Sequence, residues 1–216
     1  MNKVSVLITL FIMGLFNVVY AQQKQELDNR VNLLFGTAQL ALEGFNIEGN
    51  IFYKRLAFDY SHGISLNFSN NQLEDGLDKD QGLAIHLPWT TGFGVGYRFT
   101  EWINLRIEPK WHKFELYYDG DAQISQNLII DYTTFTLGLG LYTNFRPFKN
   151  QSNLLKGIMI APNVRWWPNL SSTLNDGEFS YNNAISGQVE NNEVRNIGAA
   201  NTPFIINVSI GYSVKF

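Results

Sequence analysis

The sequence predicts an all-β fold in which eight antiparallel strands close into an up-and-down barrel. Three observations support it. Apolar and polar residues alternate along successive segments, as they do in a strand with two different faces. Most segments are about 10 to 17 residues long, whereas ordinary soluble strands have about 5 or 6 residues. Short connections also alternate with long ones. The predicted strands are 30–38, 40–53, 56–68, 87–99, 102–118, 132–146, 158–167 and 203–216.

The composition excludes several classes of protein. With 216 residues the chain is long enough for one domain and short for two. Charged residues make up 16%, compared with about 25% in an average soluble protein. Cysteine is absent, which excludes disulfides and thiolate metal sites. The net charge of -3 and the lack of a basic run give no indication of a nucleic-acid partner.

The N-terminus has the pattern of an export signal. Lys3 precedes an apolar run over 4–20, and Val19 and Ala21 place small residues before a polar stretch. We therefore predict a cleaved signal peptide at 1–21 and a barrel domain at 22–216. A single transmembrane anchor is the alternative, but a run of about 17 residues is at the lower limit for spanning a bilayer.

Each predicted strand after the first has one apolar face and one face of small or polar residues. The first strand, 30–38, alternates least clearly. The apolar faces of the next three comprise Phe45, Ile47, Ile51, Tyr53; Leu56, Phe58, Tyr60, Ile64, Leu66, Phe68; and Thr91, Phe93, Val95, Tyr97, Phe99. Those of the following two comprise Ile103, Leu105, Ile107, Trp111; and Phe135, Leu137, Leu139, Leu141, Phe145. Strand 158–167 is assigned between its flanking connections.

The final strand, 203–216, has the clearest alternation, with Phe204, Ile206, Val208, Ile210, Tyr212, Val214 and Phe216 on one face. It is predicted to close the barrel by pairing with the first strand. The short connections at 54–55, 100–101 and 147–156 then lie on the same side as Phe216. The long loops at 69–86, 119–131 and 168–202 lie on the opposite side. Short turns on one side and long loops on the other are typical of outer-membrane barrels.

Two barrels fit this alternation, and they differ in which face meets the surroundings. A secreted soluble barrel has an apolar interior around a ligand, whereas a membrane barrel turns its apolar face to lipid. Here the polar face is rich in Gly, Ser, Asn and Thr, which suits a crowded interior. The charged and polar residues predicted to form a network in the lumen are Glu48, Asp59, Arg98, Arg106, Glu108, Lys110, His112 and Arg165. This balance of signs favours the membrane barrel.

Aromatic residues near the strand ends support the same choice. Membrane proteins concentrate Trp and Tyr at the two bilayer interfaces. The predicted interfacial aromatics are Trp89, Tyr97, Trp102, Trp111 and Trp166. A general preference of aromatics for strands is the competing explanation.

The chain resembles the small outer-membrane β-barrel proteins of Gram-negative bacteria. The resemblance rests on the alternation along the chain and on the last strand, where Tyr212, Val214 and Phe216 are similar to the signal that engages the barrel-assembly machinery. It implies a location in the outer membrane. The implied partners are outer-membrane lipid, lipopolysaccharide and the assembly machinery, while an extracellular partner stays unspecified.

Candidate sites are weak in this sequence. His62 interrupts an apolar row and is the most obvious candidate for a lipid A-modifying enzyme, but its neighbour Ser61 points to the other face. The loop acids Glu74, Asp75, Asp78 and Asp80, together with Asp119 and Asp121, are of the type that binds calcium, but the remainder of a calcium-binding loop is missing. We expect no enzyme activity, no cofactor and no metal site.

The expected role is structural, or surface interaction through the long loops. A small-solute pore, a lipid A-modifying enzyme and a soluble ligand-binding barrel are the alternatives, in that order. Because eight strands leave an interior just wide enough for side chains, a filled lumen is favoured over an open channel.

Overall fold

A computed structural model of the chain describes residues 27–68, 82–198 and 201–216. The predicted signal peptide, 1–21, lies outside this part, as do the four acids of the loop after residue 68. No helix in the described ranges is long and apolar enough to cross a membrane.

Eleven strands are described, and eight of them form the barrel. The barrel strands are β1 (Arg30–Gly36), β2 (Phe45–Tyr53), β3 (Leu56–Phe68), β4 (Leu83–Arg98), β5 (Ile103–Tyr118), β6 (Ile130–Thr143), β7 (Ile158–Trp166) and β11 (Phe204–Lys215). The three shorter strands are β8 (Asn169–Ser172), β9 (Glu178–Asn182) and β10 (Val189–Glu193). Short helices occupy Thr37–Ala41, Leu154–Gly157 and Asn175–Gly177.

The barrel is closed and antiparallel throughout. β1 pairs with β2 on one side and with β11 on the other, from Arg30 opposite Lys215 to Gly36 opposite Ser209. β7 joins β11 to β6, and β6 pairs with β5. The predicted fold class and the predicted pairing of the last strand with the first are both confirmed.

The pairing register fixes the tilt of the strands. A path across the ladder from Phe145 passes through Ile160, Ile210, Phe35, Ile47, His62, Thr91 and Trp111, and returns to Phe135. The path ends ten residues from its start, so eight strands have a shear of about ten and tilt about 40° from the barrel axis. Each residue then rises about 2.5 Å along the axis.

Side chains alternate strictly through the body of the barrel, with polar residues inside. On β5, Ile107 is 55% exposed, whereas Arg106 and Glu108 on either side are 1% and 0% exposed. On β11, Asn207, Ser209 and Ser213 are buried while Ile206, Val208 and Ile210 are exposed. The soluble alternative, with an apolar interior and a polar exterior, is therefore wrong for the body of the barrel.

The alternation inverts near the long-loop end of β3 and β4. Ser65 adopts a positive φ of 56° opposite Pro88, and the β4–β5 register shifts between His86 and Thr90. These irregularities turn Leu66 and Leu87 inward, so the prediction that Leu66 lies on the outer face is wrong. A β-bulge carries an extra residue that reverses the phase of a strand. A prediction that assumes unbroken alternation therefore cannot place such a residue.

The inverted segments enclose an apolar cluster above the polar interior. Two residues from the β9–β10 hairpin, Phe179 and Tyr181, pack into it. The other buried members are Leu66, Leu83, Ile85, Leu87, Phe114, Leu116 and Tyr132. We call this set the apolar cap.

The three largest differences from the predicted boundaries each have a tertiary cause. Residues 37–41 form a helix instead of strand, because Thr37 Oγ1 donates to Val208 O and Ala38 N donates to Asn207 Oδ1 at the edge of β11. β4 begins at Leu83, within the predicted loop, because Leu83 packs in the apolar cap. The predicted loop 168–202 contains β8, β9 and β10, and its hairpin is held by the same cap.

Candidate functional site

The centre of the barrel is organised around Arg106. Its Nη1 lies 2.7 Å from Glu48 Oε1 and 3.1 Å from Asp59 Oδ2, so one guanidinium bridges two strands. The guanidinium stacks 3.9 Å from the centre of the Tyr142 ring. Planar, delocalised charge suits a guanidinium that is both paired with carboxylates and stacked on a ring. The Arg106 side chain is completely buried, so its charge is neutralised inside the protein.

A third carboxylate, Glu108, joins the network from the next inward position of β5. Tyr142 Oη donates to Glu108 Oε1 at 2.6 Å, and Trp167 Nε1 donates to Glu108 Oε2 at 3.1 Å. Lys110 Nζ lies 3.7 Å from Glu108 Oε1. Both oxygens of this buried carboxylate therefore have partners, which offsets the cost of removing it from water.

The indole of Trp167 forms the next layer. Lys110 and Arg165 stand over its ring at 4.5 Å and 4.4 Å from the ring centre. His112 packs against the same indole at 5.7 Å between ring centres. Lys110 Nζ also donates to Ser61 Oγ at 2.5 Å. A large aromatic surrounded by cations fills the width of the barrel at this level.

His112 ends the polar layers. Its Nδ1 is 2.7 Å from Thr90 Oγ1 and its Nε2 is 3.1 Å from Thr136 Oγ1. With both ring nitrogens occupied by hydroxyl groups and the ring buried, His112 has no free position for substrate or metal.

Seven of the eight predicted lumen residues are thus brought together, and Arg98 is separate. Its Nη1 donates to Asp28 O at 2.9 Å and to Lys54 O at 2.7 Å, and its guanidinium stacks 4.6 Å from the Phe52 ring centre. Arg98 therefore closes the short-turn end of the barrel by binding backbone carbonyls and not a lumen carboxylate.

The short-turn end carries two further closing contacts. Arg30 Nε donates to Ser213 Oγ at 2.7 Å, joining the first and last strands from inside. Asp28 Oδ1 is 2.6 Å from Lys215 Nζ. The hydrogen bond from Lys215 holds the pKa of Asp28 below its usual value. With the apolar cap at the other end, side chains occupy the middle and both ends of the barrel interior.

Three interior aromatics that fill the barrel were absent from the predicted site. Phe52 and Tyr142 lie on the inward faces of β2 and β6, and Trp167 follows the end of β7. All three were detectable, since each continues an inward row of its predicted strand: Phe52 follows Asn50, and Tyr142 follows Gly140. Trp167 likewise lies two positions after Arg165, which was predicted to face inward, whereas Trp166 has the outward phase.

His62 faces outward in the apolar row, as predicted, and Ser61 faces inward. The serine accepts from Lys110 inside the barrel, whereas His62 Nδ1 is buried without a protein partner. The two side chains thus lie on opposite sides of the wall and do not form a nucleophile–base pair. No group of three or more His, Asp or Glu within the described ranges is placed to hold a metal ion.

The exterior carries two rings of aromatic side chains. Near the short turns, Trp102 packs against Phe145 at 5.8 Å between ring centres, and Tyr97 against Phe99 at 5.4 Å. Near the long loops, Trp111 lies between Phe93 at 6.4 Å and Phe135 at 5.1 Å. The other predicted interfacial residues, Trp89 and Trp166, are also partly or largely exposed.

The distance between these rings matches a bilayer. Trp102 and Trp111 are nine positions apart, which corresponds to about 23 Å along the axis at the tilt derived above; membrane barrels carry an apolar band about 25 Å tall. Immediately beyond Trp111 the outer face becomes charged, where Lys113 pairs with Asp131 and Glu115 lies 3.1 Å from His86 Nδ1. The apolar band ends at that boundary.

No protein-family model matches the chain, and no curated protein sequence matches it. Among solved structures, the chain is similar to Ail, the attachment invasion locus protein of Yersinia pestis, which was crystallised in complex with the heparin analogue sucrose octasulfate. The two are 10% identical with a TM-score of 0.40, over 87% of this chain and 100% of that chain. Functional inference therefore depends on the geometry of this chain itself.

Proposed function

We propose that this chain is an outer-membrane β-barrel with a filled interior, whose role is structural or is exerted through its surface-exposed outer segments. The observation that carries the proposal is that charged side chains of the barrel wall face the interior. On the described strands, no Asp, Glu, Lys or Arg faces outward between the two aromatic rings. A charge on that face at mid-bilayer would cost about 2–4 kcal/mol.

The exposed apolar surface supports placement in lipid. Large side chains on all eight barrel strands are exposed, among them Ile206 at 78% and Ile107 at 55%. A soluble monomer rarely exposes a contiguous apolar patch larger than a few hundred Å². Apolar residues encircle this barrel, so the chain requires lipid or detergent around it.

The filled lumen argues against the pore as the principal function. The network of Arg106, Glu108 and Trp167 occupies the middle, and the apolar cap closes the long-loop end. The surfaces left for interaction are the segments beyond the long-loop end of the barrel, including the β9–β10 hairpin, and the lipid-facing wall. Outer-membrane lipid, lipopolysaccharide and the assembly machinery are the proposed partners.

Cell fractionation and electrophoresis test the proposal together. We expect the expressed full chain to sediment with outer membranes, to require detergent for extraction and to migrate faster on gels before boiling than after it. The purified barrel in planar bilayers should show no stable conductance of appreciable size. A soluble periplasmic product would refute the membrane assignment, and a stable open channel would refute the filled lumen.

The absence of cysteine makes the orientation directly measurable. Ser186 lies exposed in the hairpin connection and Lys54 in a short turn at the other end. We expect an impermeant maleimide to label Ser186→Cys in intact cells, and Lys54→Cys only after the outer membrane is opened. The reverse labelling would contradict a surface role for the hairpin.

A further inference from the structure

The two ends of the barrel carry opposite charge. Basic residues dominate the described short-turn end: Arg30, Lys54, Arg55, Arg98, Arg146, Lys149, Lys156 and Lys215, against Asp28 and Glu101. Acidic residues dominate the described long-loop end: Glu43, Glu115, Asp119, Asp121, Asp131, Asp176, Glu178, Glu190 and Glu193, against Lys113 and Arg195. The basic end lies next to the aromatic ring near the short turns. In the proposed membrane barrel, this is the level of one layer of lipid headgroups.

Three of the basic side chains at the short-turn end lie over aromatic side chains close to the short turns. Lys149 Nζ is 5.3 Å from the ring centre of Trp102. Lys54 Nζ is 5.5 Å from that of Tyr53, and the Arg55 guanidinium is 5.9 Å from that of Tyr97. A cation over an aromatic face is attracted by the ring quadrupole, so each pair places a positive charge at a defined position on the edge of the apolar band.

One of these three positions is concave. Glu101, Trp102, Asn144, Arg146 and Lys149 line a shallow cleft, with an internal volume of about 10 Å³, that is open to the surroundings. Trp102 belongs to the aromatic ring that marks the membrane edge, and its indole is 47% exposed. The cleft therefore opens where the apolar band meets the headgroup layer.

The polar groups of the cleft are incompletely satisfied by the protein. Arg146 Nη2 donates to Glu101 Oε2 at 3.0 Å, which fixes the guanidinium at one edge. Lys149 has no carboxylate partner within the described ranges. Asn144 is 5% exposed, and its Oδ1 is buried without a protein hydrogen bond. The exposed group of the cleft that a bound negative charge would satisfy is therefore the Lys149 ammonium.

We infer that this cleft binds the headgroup of an anionic phospholipid in the membrane leaflet next to the short turns. The Lys149 ammonium binds the phosphate, and the Arg146 guanidinium supports it electrostatically. The Trp102 ring lies alongside the upper part of the lipid. The inference deepens the proposed function and rests on it, since the ligand comes from the bilayer in which the barrel is inserted.

Native mass spectrometry on the detergent-solubilised full chain tests this site. The retained fraction of phosphatidylglycerol is compared with that of phosphatidylcholine for the wild type, Lys149→Gln and the matched control Lys156→Gln. The control removes the same charge at an exposed residue of the same end that does not line the cleft. A juxtamembrane cation contributes about 1 kcal/mol to binding of anionic lipid, which corresponds to about a fivefold change.

We expect Lys149→Gln to lower phosphatidylglycerol retention about fivefold, Lys156→Gln to leave it unchanged, and phosphatidylcholine to be retained weakly by all three proteins. Equal losses of phosphatidylglycerol retention in both variants, or a loss in neither, would overturn the assignment of lipid binding to this cleft. Displacement of the lipid by millimolar glycerol 3-phosphate would show a site for soluble phosphate and overturn the assignment to lipid. The gel shift on boiling is recorded for every variant, so a chain that fails to form a membrane barrel is distinguished from an inserted barrel that lacks lipid selectivity.

Discussion

Replacing Arg106 by leucine should be strongly destabilising, because two buried carboxylates depend on it. The Arg106 and Asp59 side chains are fully buried, and the Glu48 side chain is 7% exposed. Arg106→Leu keeps the strand position and much of the volume but leaves both acids without their cation. Removing one partner of a buried ion pair typically costs about 3–5 kcal/mol. We expect the upper half of this range, because Arg106 Nε also donates to Asn104 Oδ1 at 2.7 Å.

The measurement is equilibrium unfolding of the barrel in lipid vesicles by guanidinium chloride, followed by tryptophan fluorescence. The matched control is the triple variant Arg106→Leu, Glu48→Gln, Asp59→Asn, in which the unpaired charges are removed along with the cation. Neutral replacements of a buried ionic cluster are often close to the wild type in stability. We therefore expect the triple variant to recover most of the lost free energy of unfolding.

Two results would refute this reasoning. A loss below about 1 kcal/mol in Arg106→Leu would mean that water reaches the acids and solvates them, since removal of a buried partner costs more than that. A triple variant as unstable as the single one would mean that packing of the guanidinium against Tyr142 and Phe52, and not charge neutralisation, is what the network supplies.

Three further predictions address assembly, packing and the cap. Deleting Phe216, which is 62% exposed, should reduce the amount of protein in outer-membrane fractions more than deleting the β9–β10 hairpin does; equal insertion without Phe216 would count against its role as an assembly signal. Gly138→Ala should lower the free energy of unfolding by about 1–3 kcal/mol, because an added methyl would overlap the Trp167 ring. Gly49→Ala is the control and should stay close to the wild type, since its methyl would meet nothing within 4 Å. Phe179→Ala should raise the rate of protease cleavage in the hairpin, because Phe179 anchors the hairpin in the apolar cap. The temperature of the gel shift should stay unchanged, since Phe179 belongs to the cap and not to the polar network. A barrel that unfolds at a lower temperature would show that the cap also stabilises the wall.

Much of the fold was predictable because the two faces of the barrel wall differ in chemistry. An apolar exterior and a crowded polar interior impose a period of two on the barrel strands, and β11 shows this from Phe204 to Val214. The inward direction of Glu48, Asp59 and Arg106 followed from the same period. The short turn at Lys54 and the closing pairing of the last strand also needed only local pattern and connection lengths.

The remainder depends on contacts between residues far apart in the chain. That Arg106 bridges Glu48 and Asp59, while Arg98 binds carbonyl groups instead, is set by the register of four strands. The inversion at Ser65 depends on its position opposite Pro88 and on the bulge in β4, and neither is visible in alternation alone.

By itself, the sequence determined which segments are strands, which of their faces is polar, and that the last predicted strand closes the barrel. Only the tertiary structure decided that Trp167 lies against Glu108, Lys110 and His112, and that Phe179 returns from a long connection to cap the interior. The physical reason is the range of the interactions. A solvent boundary acts on every residue in its local alternation, whereas filling a closed space depends on the shapes of side chains that meet only after the barrel has formed.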